Sequence, residues 1–122
     1  MKKSPIKRKS KSPYAKAKAK AWKVFSIYIR ERDGHKCFTC GGQGTQAGHF
    51  VHSSQETYFD EQNVHAQCSA CNLWKHGNLG VYAVKLDAKY GTGTAESLIK
   101  RGKGIKPMGP KDFLEIYEKY KT

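Results

Sequence analysis

Residues 63–72 read NVHAQCSACN. Cys68 and Cys71, three apart, have metal-ligand spacing. A structural zinc knuckle needs only the sulfurs. The bracketing Asn63 and Asn72, and His65 just inside the first, therefore need another reason. Upstream, HKCFTCGGQG (35–44) supplies the matching pair, Cys37 and Cys40, with glycines that allow tight turns around a metal. Residues 41–67 separate the two CxxC pairs. That is more than a minimal finger needs, and enough for a two-stranded excursion.

Two alternatives to zinc can be weighed. The start of the chain is basic with no apolar run behind it, so no secretory signal is expected. A reducing compartment disfavours disulfides and favours a zinc centre held by all four thiolates. A thioredoxin-type redox site would be one CxxC in a βαβ setting, which neither pair has. His35 and His76 flank the knuckles, but four thiolates already complete a tetrahedron.

Charge points to a polyanion. The formal net charge is +13. Residues 1–20 hold nine of the 23 Lys/Arg and no acid, whereas the remaining 14 share residues 21–122 with all 10 acids. Residues 1–20 thus read as a basic arm, disordered or partly helical, in which Lys7, Arg8 and Lys9 contact nucleic acid by charge. A solvated solubility tail is the bland alternative. No apolar run approaches the ~20 residues that span a bilayer.

Outward from the cysteines, apolar spacing gives the rest. Ser12-Pro13 fits a helix cap and first position, with Trp22, Phe25 and Ile29 on one face and a stop at Asp33-Gly34. TQAGHFVHSS reads as a strand with His49 and Val51 on one face and Phe50 on the other. A polar loop follows, and YFDEQNVHAQ returns as the second strand. CSACNLWKHGN opens a short helix. Residues 79–90 repeat Leu79, Tyr82, Leu86 and Tyr90 helically, and Gly91 ends them. Thr94 caps a helix to about Lys100, 101–110 is a loop, and Pro110 starts a helix striped with Phe113, Ile116, Tyr117 and Tyr120. The aromatic helices read as core rather than as base-stacking platforms. The fold class is therefore α+β: a domain over 21–122, with a zinc-stapled ββα core at about 35–80 and C-terminal helices over about 79–120.

This arrangement can hold a phosphodiester. A histidine at the end of the first strand takes a proton from water, and a divalent ion at the helix start stabilises the leaving oxygen. Alone, His49 beside Phe50 would more often be a packed side chain. The series His49, Asn63, Asn72 within Cys37-x2-Cys40…Cys68-x2-Cys71 resembles the HNH endonucleases, the ββα-metal or His-Me finger class. More narrowly, AWKVFSIYIRERD, CFTC, AGHF, FDEQNVHAQCSACN and KHGN resemble the phage NinG/Rap recombination proteins, endonucleases of branched DNA. The resemblance covers residues 21–80 well and the C-terminal helix loosely.

The resemblance implies His49 as general base and Asn63 as the brace of the loop presenting it. It implies Asn72 as ligand of a catalytic Mg2+ or Mn2+, and the four cysteines as ligands of one structural Zn2+. His65, facing inward, is a candidate second catalytic or metal group; Lys75 and His76 are candidate phosphate contacts. Many HNH members carry an acid before the histidine as a second metal ligand. Here that position is Gly48, so help would fall to His65, His52, Glu56 or Asp60, or to water and phosphate. The implied function is metal-dependent cleavage of Holliday junctions or D-loops during phage recombination, in the host cytoplasm, by a homodimer on DNA, with no small-molecule substrate. A general HNH DNA nuclease, or a non-catalytic zinc-finger DNA-binding accessory protein, is the alternative.

Overall fold

The computed structural model describes residues 12–52, 55–104 and 106–122. Lys7, Arg8 and Lys9 lie outside the described residues. The first helix, α1 (Pro13–Arg32), starts where Ser12 Oγ accepts from Ala15 N at 3.1 Å and Pro13 supplies a preset φ. Ala21, Phe25 and Ile29 form its buried stripe. Gly34 (φ 63°) and His35 (φ 55°) then turn the chain into the first knuckle.

Strands β1 (Gln46–His49) and β2 (Val64–Gln67) form an antiparallel pair with Gly48 opposite His65 and His49 opposite Val64. All four β2 residues are buried. A two-stranded sheet exposes an edge that must be blunted. Here the end of α1 covers it: Asp33 Oδ2 accepts from Ala66 N at 2.8 Å, and Arg32 donates to Glu61 O (2.7 Å) and Val64 O (2.9 Å). Arg32 and Asp33 also pair with each other at 2.8 Å.

The hairpin is shorter than its sequence suggests. β1 ends at His49; Phe50 N donates to Asn63 O and Val51 N to the Asn63 side chain, which pulls the chain out of alternation. Val51 therefore packs with Phe50 rather than sharing a face with His49. A one-turn helix, α2 (Gln55–Tyr58), stands within the expected loop, and the Asp60–Asn63 turn replaces the start of the expected second strand.

A π-helical turn (Ala70–Trp74) carries the second knuckle, and His76 and Asn78, both at positive φ, lead into α3 (Leu79–Tyr90). Gly91 (φ 113°) ends α3 as expected. In α4 (Thr94–Gly102) the N-terminus is capped by Asp87 Oδ1, which accepts from Ala95 N at 2.9 Å; Thr94 instead donates to Gly91 O. The last helix, α5 (Pro110–Tyr120), lies against α1 through Phe113 on Tyr14 and Tyr120 on Phe25 and Tyr28.

Two apolar clusters thus flank the hairpin. Phe25, Ile29 and Val64 fill the α1/α5 side; Phe50, Tyr82, Leu86, Ala95 and Leu98 fill the α3/α4 side. Trp74 departs from the expected core role and is 83% exposed. Among the described residues, no helix is long and apolar enough to cross a membrane.

Candidate functional site

The four cysteines meet. Their Sγ atoms all lie within 4.8 Å of one another, and a tetrahedral site with ~2.3 Å zinc–sulfur bonds needs sulfurs about 3.8 Å apart. Each sulfur also has a polar neighbour. Thr39 Oγ1 is 3.3 Å from Cys37, Gly42 N donates to Cys40, Cys71 N to Cys68, and Asn78 Nδ2 to Cys71. Donors of this kind steady thiolate ligands. Burial pushes the Cys37 thiol up, but hydrogen bonds from Thr39 and the backbone outweigh it and hold the thiol down at about 6. The cluster could hold a metal ion such as zinc, which would tie both ends of the hairpin together.

His49 ends β1 on the α1 side. Its ring stacks on Trp22 (centroids 4.8 Å, 18° between planes) and leans on Tyr58 at 4.5 Å. Nε2 lies 3.0 Å from Tyr58 O. A carbonyl only accepts, so Nε2 carries the hydrogen and Nδ1 keeps the free lone pair. Burial, against the opposing pull of the Tyr58 carbonyl, lowers the pKa to about 4, with the His52 and Lys18 charges adding to the fall. The imidazole is neutral at neutral pH, the state a proton acceptor needs.

Asn63 is fully buried and spends its amide on the loop around His49. Nδ2 donates to Val51 O (3.1 Å) and Thr57 O (2.9 Å), while Oδ1 accepts from Val51 N at 2.7 Å. The amide thereby closes the 51–63 loop that delivers Tyr58 to His49. Asn72, in the π-helical turn, donates through Nδ2 to Gln46 Oε1 at 2.8 Å. Its Oδ1 lies 2.8 Å from where a Cβ on Gly48 would stand.

His65 is not part of this group. It leaves β2 on the other sheet face, fully buried and stacked on Phe38 at 3.9 Å. Tyr82 Oη donates to Gly48 O (2.8 Å), so it accepts from His65 Nδ1 (3.2 Å), and Tyr90 Oη donates to Nε2 (2.9 Å). With both ring nitrogens occupied and no exposure, His65 has no lone pair for a metal or a water. It is a core strut, which corrects its candidacy.

The auxiliary ligands also separate. Asp60 is consumed by the Gln62 and Asn63 amides and by Arg101 at 2.7 Å. Glu56 lies against Gly104. His52 is exposed, its ring 6.3 Å from that of His49. Lys75 and His76 are exposed just past Asn72, with Trp74 beside them. Two residues outside the sequence reading join the site. Gln46 holds Asn72, and Gln67, fully buried, faces Gly48. A glutamine inside an otherwise buried strand was the one signal that marked Gln67.

The family model described as Bacteriophage Lambda NinG protein matches residues 1–122. "Protein ninG" of Salmonella phage P22 is 34% identical over 84 residues, covering 64% of this chain and 41% of its own length. The proteins of that name from Escherichia phage 933W (38%) and Escherichia phage lambda (36%) each match over 77 residues, 58% of this chain and 38% of theirs. The matched stretch thus spans well under half the length of these relatives. No solved structure matches. The chain belongs to the family of the bacteriophage lambda NinG protein.

Proposed function

We propose that this chain is a metal-dependent DNA endonuclease of the HNH type, acting on branched DNA. The observation that carries the reading is His49. It is a neutral histidine at a strand end, with one nitrogen fixed by the Tyr58 carbonyl and the other without a hydrogen-bond partner among the described residues. In the proposed reaction His49 Nδ1 takes a proton from water. The water oxygen bonds to phosphorus, the P–O3′ bond breaks, and the ends are a 5′ phosphate and a 3′ hydroxyl. Asn63 positions the loop behind His49. Asn72 would hold a Mg2+ or Mn2+, whose charge stabilises the departing oxygen. The four cysteines would hold a structural zinc that contributes folding free energy. Lys75 and His76 would contact phosphates, and the net charge of +13 suits a polyanionic partner. Preference for junctions rests on the family resemblance, and two cuts in one junction would require two copies on the DNA.

The test uses the protein and His49→Ala with a labelled four-way junction, a matched duplex and a single strand, each with Mg2+, Mn2+ or EDTA. Cutting of the junction alone, dependent on metal and His49, supports the proposal. Equal cutting of all three leaves a general nuclease. Binding without cutting leaves a DNA-binding accessory protein.

A further inference from the structure

A hard divalent cation takes oxygen ligands, and the hairpin presents two from an unforeseen place. At Gly48 an added Cβ would stand 1.9 Å from Gln67 Oε1 and 2.8 Å from Asn72 Oδ1. Oxygens from β2 and from the π-helical turn thus converge on the face of Gly48 where any other residue would carry its side chain.

The Gln67 amide is locked in orientation. Nε2 donates to Gly77 O at 2.8 Å and to Thr39 Oγ1 at 3.1 Å. Only a nitrogen can serve the Gly77 carbonyl, so Oε1 is the atom facing Gly48. That oxygen is buried and has no hydrogen-bond partner among the described residues. Leaving such a group unpaired is costly, so it calls for a partner. The Asn72 amide turns its oxygen the same way, with Nδ2 donating to Gln46 Oε1. Among the described residues, the only group of three or more His, Cys, Asp or Glu with metal-ligand spacing is the cysteine cluster. A second ion would therefore depend on amide oxygens.

We infer that Gln67 Oε1 and Asn72 Oδ1 are paired ligands of the divalent cation, Gln67 standing in for the carboxylate that Gly48 lacks. The choice of ion rests on the endonuclease reading. Both ligands are neutral, so the protein alone binds the ion weakly. A DNA phosphate supplies the missing charge, and the ion and DNA bind with positive coupling. A buried water is the competing occupant of the same space.

The test follows Mn2+ binding by the paramagnetic resonance of the free ion. It uses the full zinc-loaded chain carrying His49→Ala, so that DNA survives, with and without a short duplex. Duplex should tighten Mn2+ binding about tenfold or more. Adding Gln67→Met or Asn72→Ala should weaken binding by about 10- to 100-fold. Gln67→Glu should instead tighten it without DNA, because it adds the missing charge. Zinc content and near-ultraviolet circular dichroism check that each variant folds. In the chain with Gln67 intact, the side-chain carbonyl 13C resonance of Gln67 should move on adding Mg2+, a readout that needs no change at Gln67. Mn2+ binding that depends on Asn72 but survives Gln67→Met, with an unmoved carbonyl, overturns the Gln67 assignment and leaves the endonuclease reading standing. Gln67-dependent Mn2+ binding in a chain whose natural His49 form cuts no DNA supports the ion site and overturns the endonuclease reading.

Discussion

His49 and His65 leave the same hairpin by opposite faces. Burial holds both below the ordinary histidine pKa, at about 4 and about 3. Both are neutral at neutral pH, so protonation state does not separate them. Hydrogen bonding does. His65 has both nitrogens engaged by tyrosines and no exposure. His49 has one nitrogen engaged by a carbonyl and a ring that remains partly exposed. A depressed pKa marks a buried histidine of either kind; a lone pair left over is what allows chemistry.

The largest effect should fall on both histidines at once. For the proposed zinc centre, chelation or Cys71→Ser should unfold the hairpin, because such centres supply on the order of 10 kcal/mol of folding free energy. Loss of far-ultraviolet dichroism on adding chelator checks this. Next, His49→Ala should lower DNA cleavage by about 10^2- to 10^4-fold while leaving zinc content and DNA affinity unchanged. Undiminished cleavage would overturn the role given to His49. Within the folded pH range, kcat/KM should not fall near the ordinary histidine pKa of about 6.5, since free His49 titrates at about 4.

His65 should respond in the opposite way. His65→Leu should cost about 1–3 kcal/mol of stability through the hydrogen bonds lost with Tyr82 and Tyr90, with cleavage measured well below the melting temperature little changed. Its pH signature has a definite sign. Unfolded histidine takes up a proton below about 6.5, whereas folded His65 resists until about 3. Its contribution to stability is full above the first value and is lost as pH falls toward the second. Denaturant melts across that window should be flatter in His65→Leu. The smallest structural effect belongs to Trp74→Ala, expected within about 0.5 kcal/mol for so exposed a side chain; a larger loss would place Trp74 in a contact absent from this structure.

Features with local causes were legible in the sequence. The cysteine pairs, the span of α3 between Leu79 and Gly91, and the Pro110 start of α5 each follow from spacing or from one residue's backbone preference. Features that depend on distant partners were not. Val51 leaves the strand because Asn63, 12 residues on, takes its N–H. His65 becomes a strut because Tyr82 and Tyr90 lie 17 and 25 residues downstream. Gln67 gains its meaning from what Gly48 lacks, and no periodicity records that. Trp74 carries an apolar side chain outward because the inner side of its short turn is taken by Cys71.

One feature of α1 reaches beyond packing. The helix runs unbroken from Pro13 to Arg32, and Trp22 in its middle is the residue stacked on His49. From Pro13 to Trp22 the helix rises about 14 Å. Lys18, one turn before Trp22, lies over the Tyr58 ring at 4.3 Å. Pro13 is therefore separated from the Trp22–His49 stack by a stiff spacer less than one duplex diameter long. A tether that short gives a high effective concentration. Under the proposed function, basic residues at that distance would bring nearby phosphates to His49 as intramolecular neighbours, and lengthening the spacer should slow that encounter without altering the site.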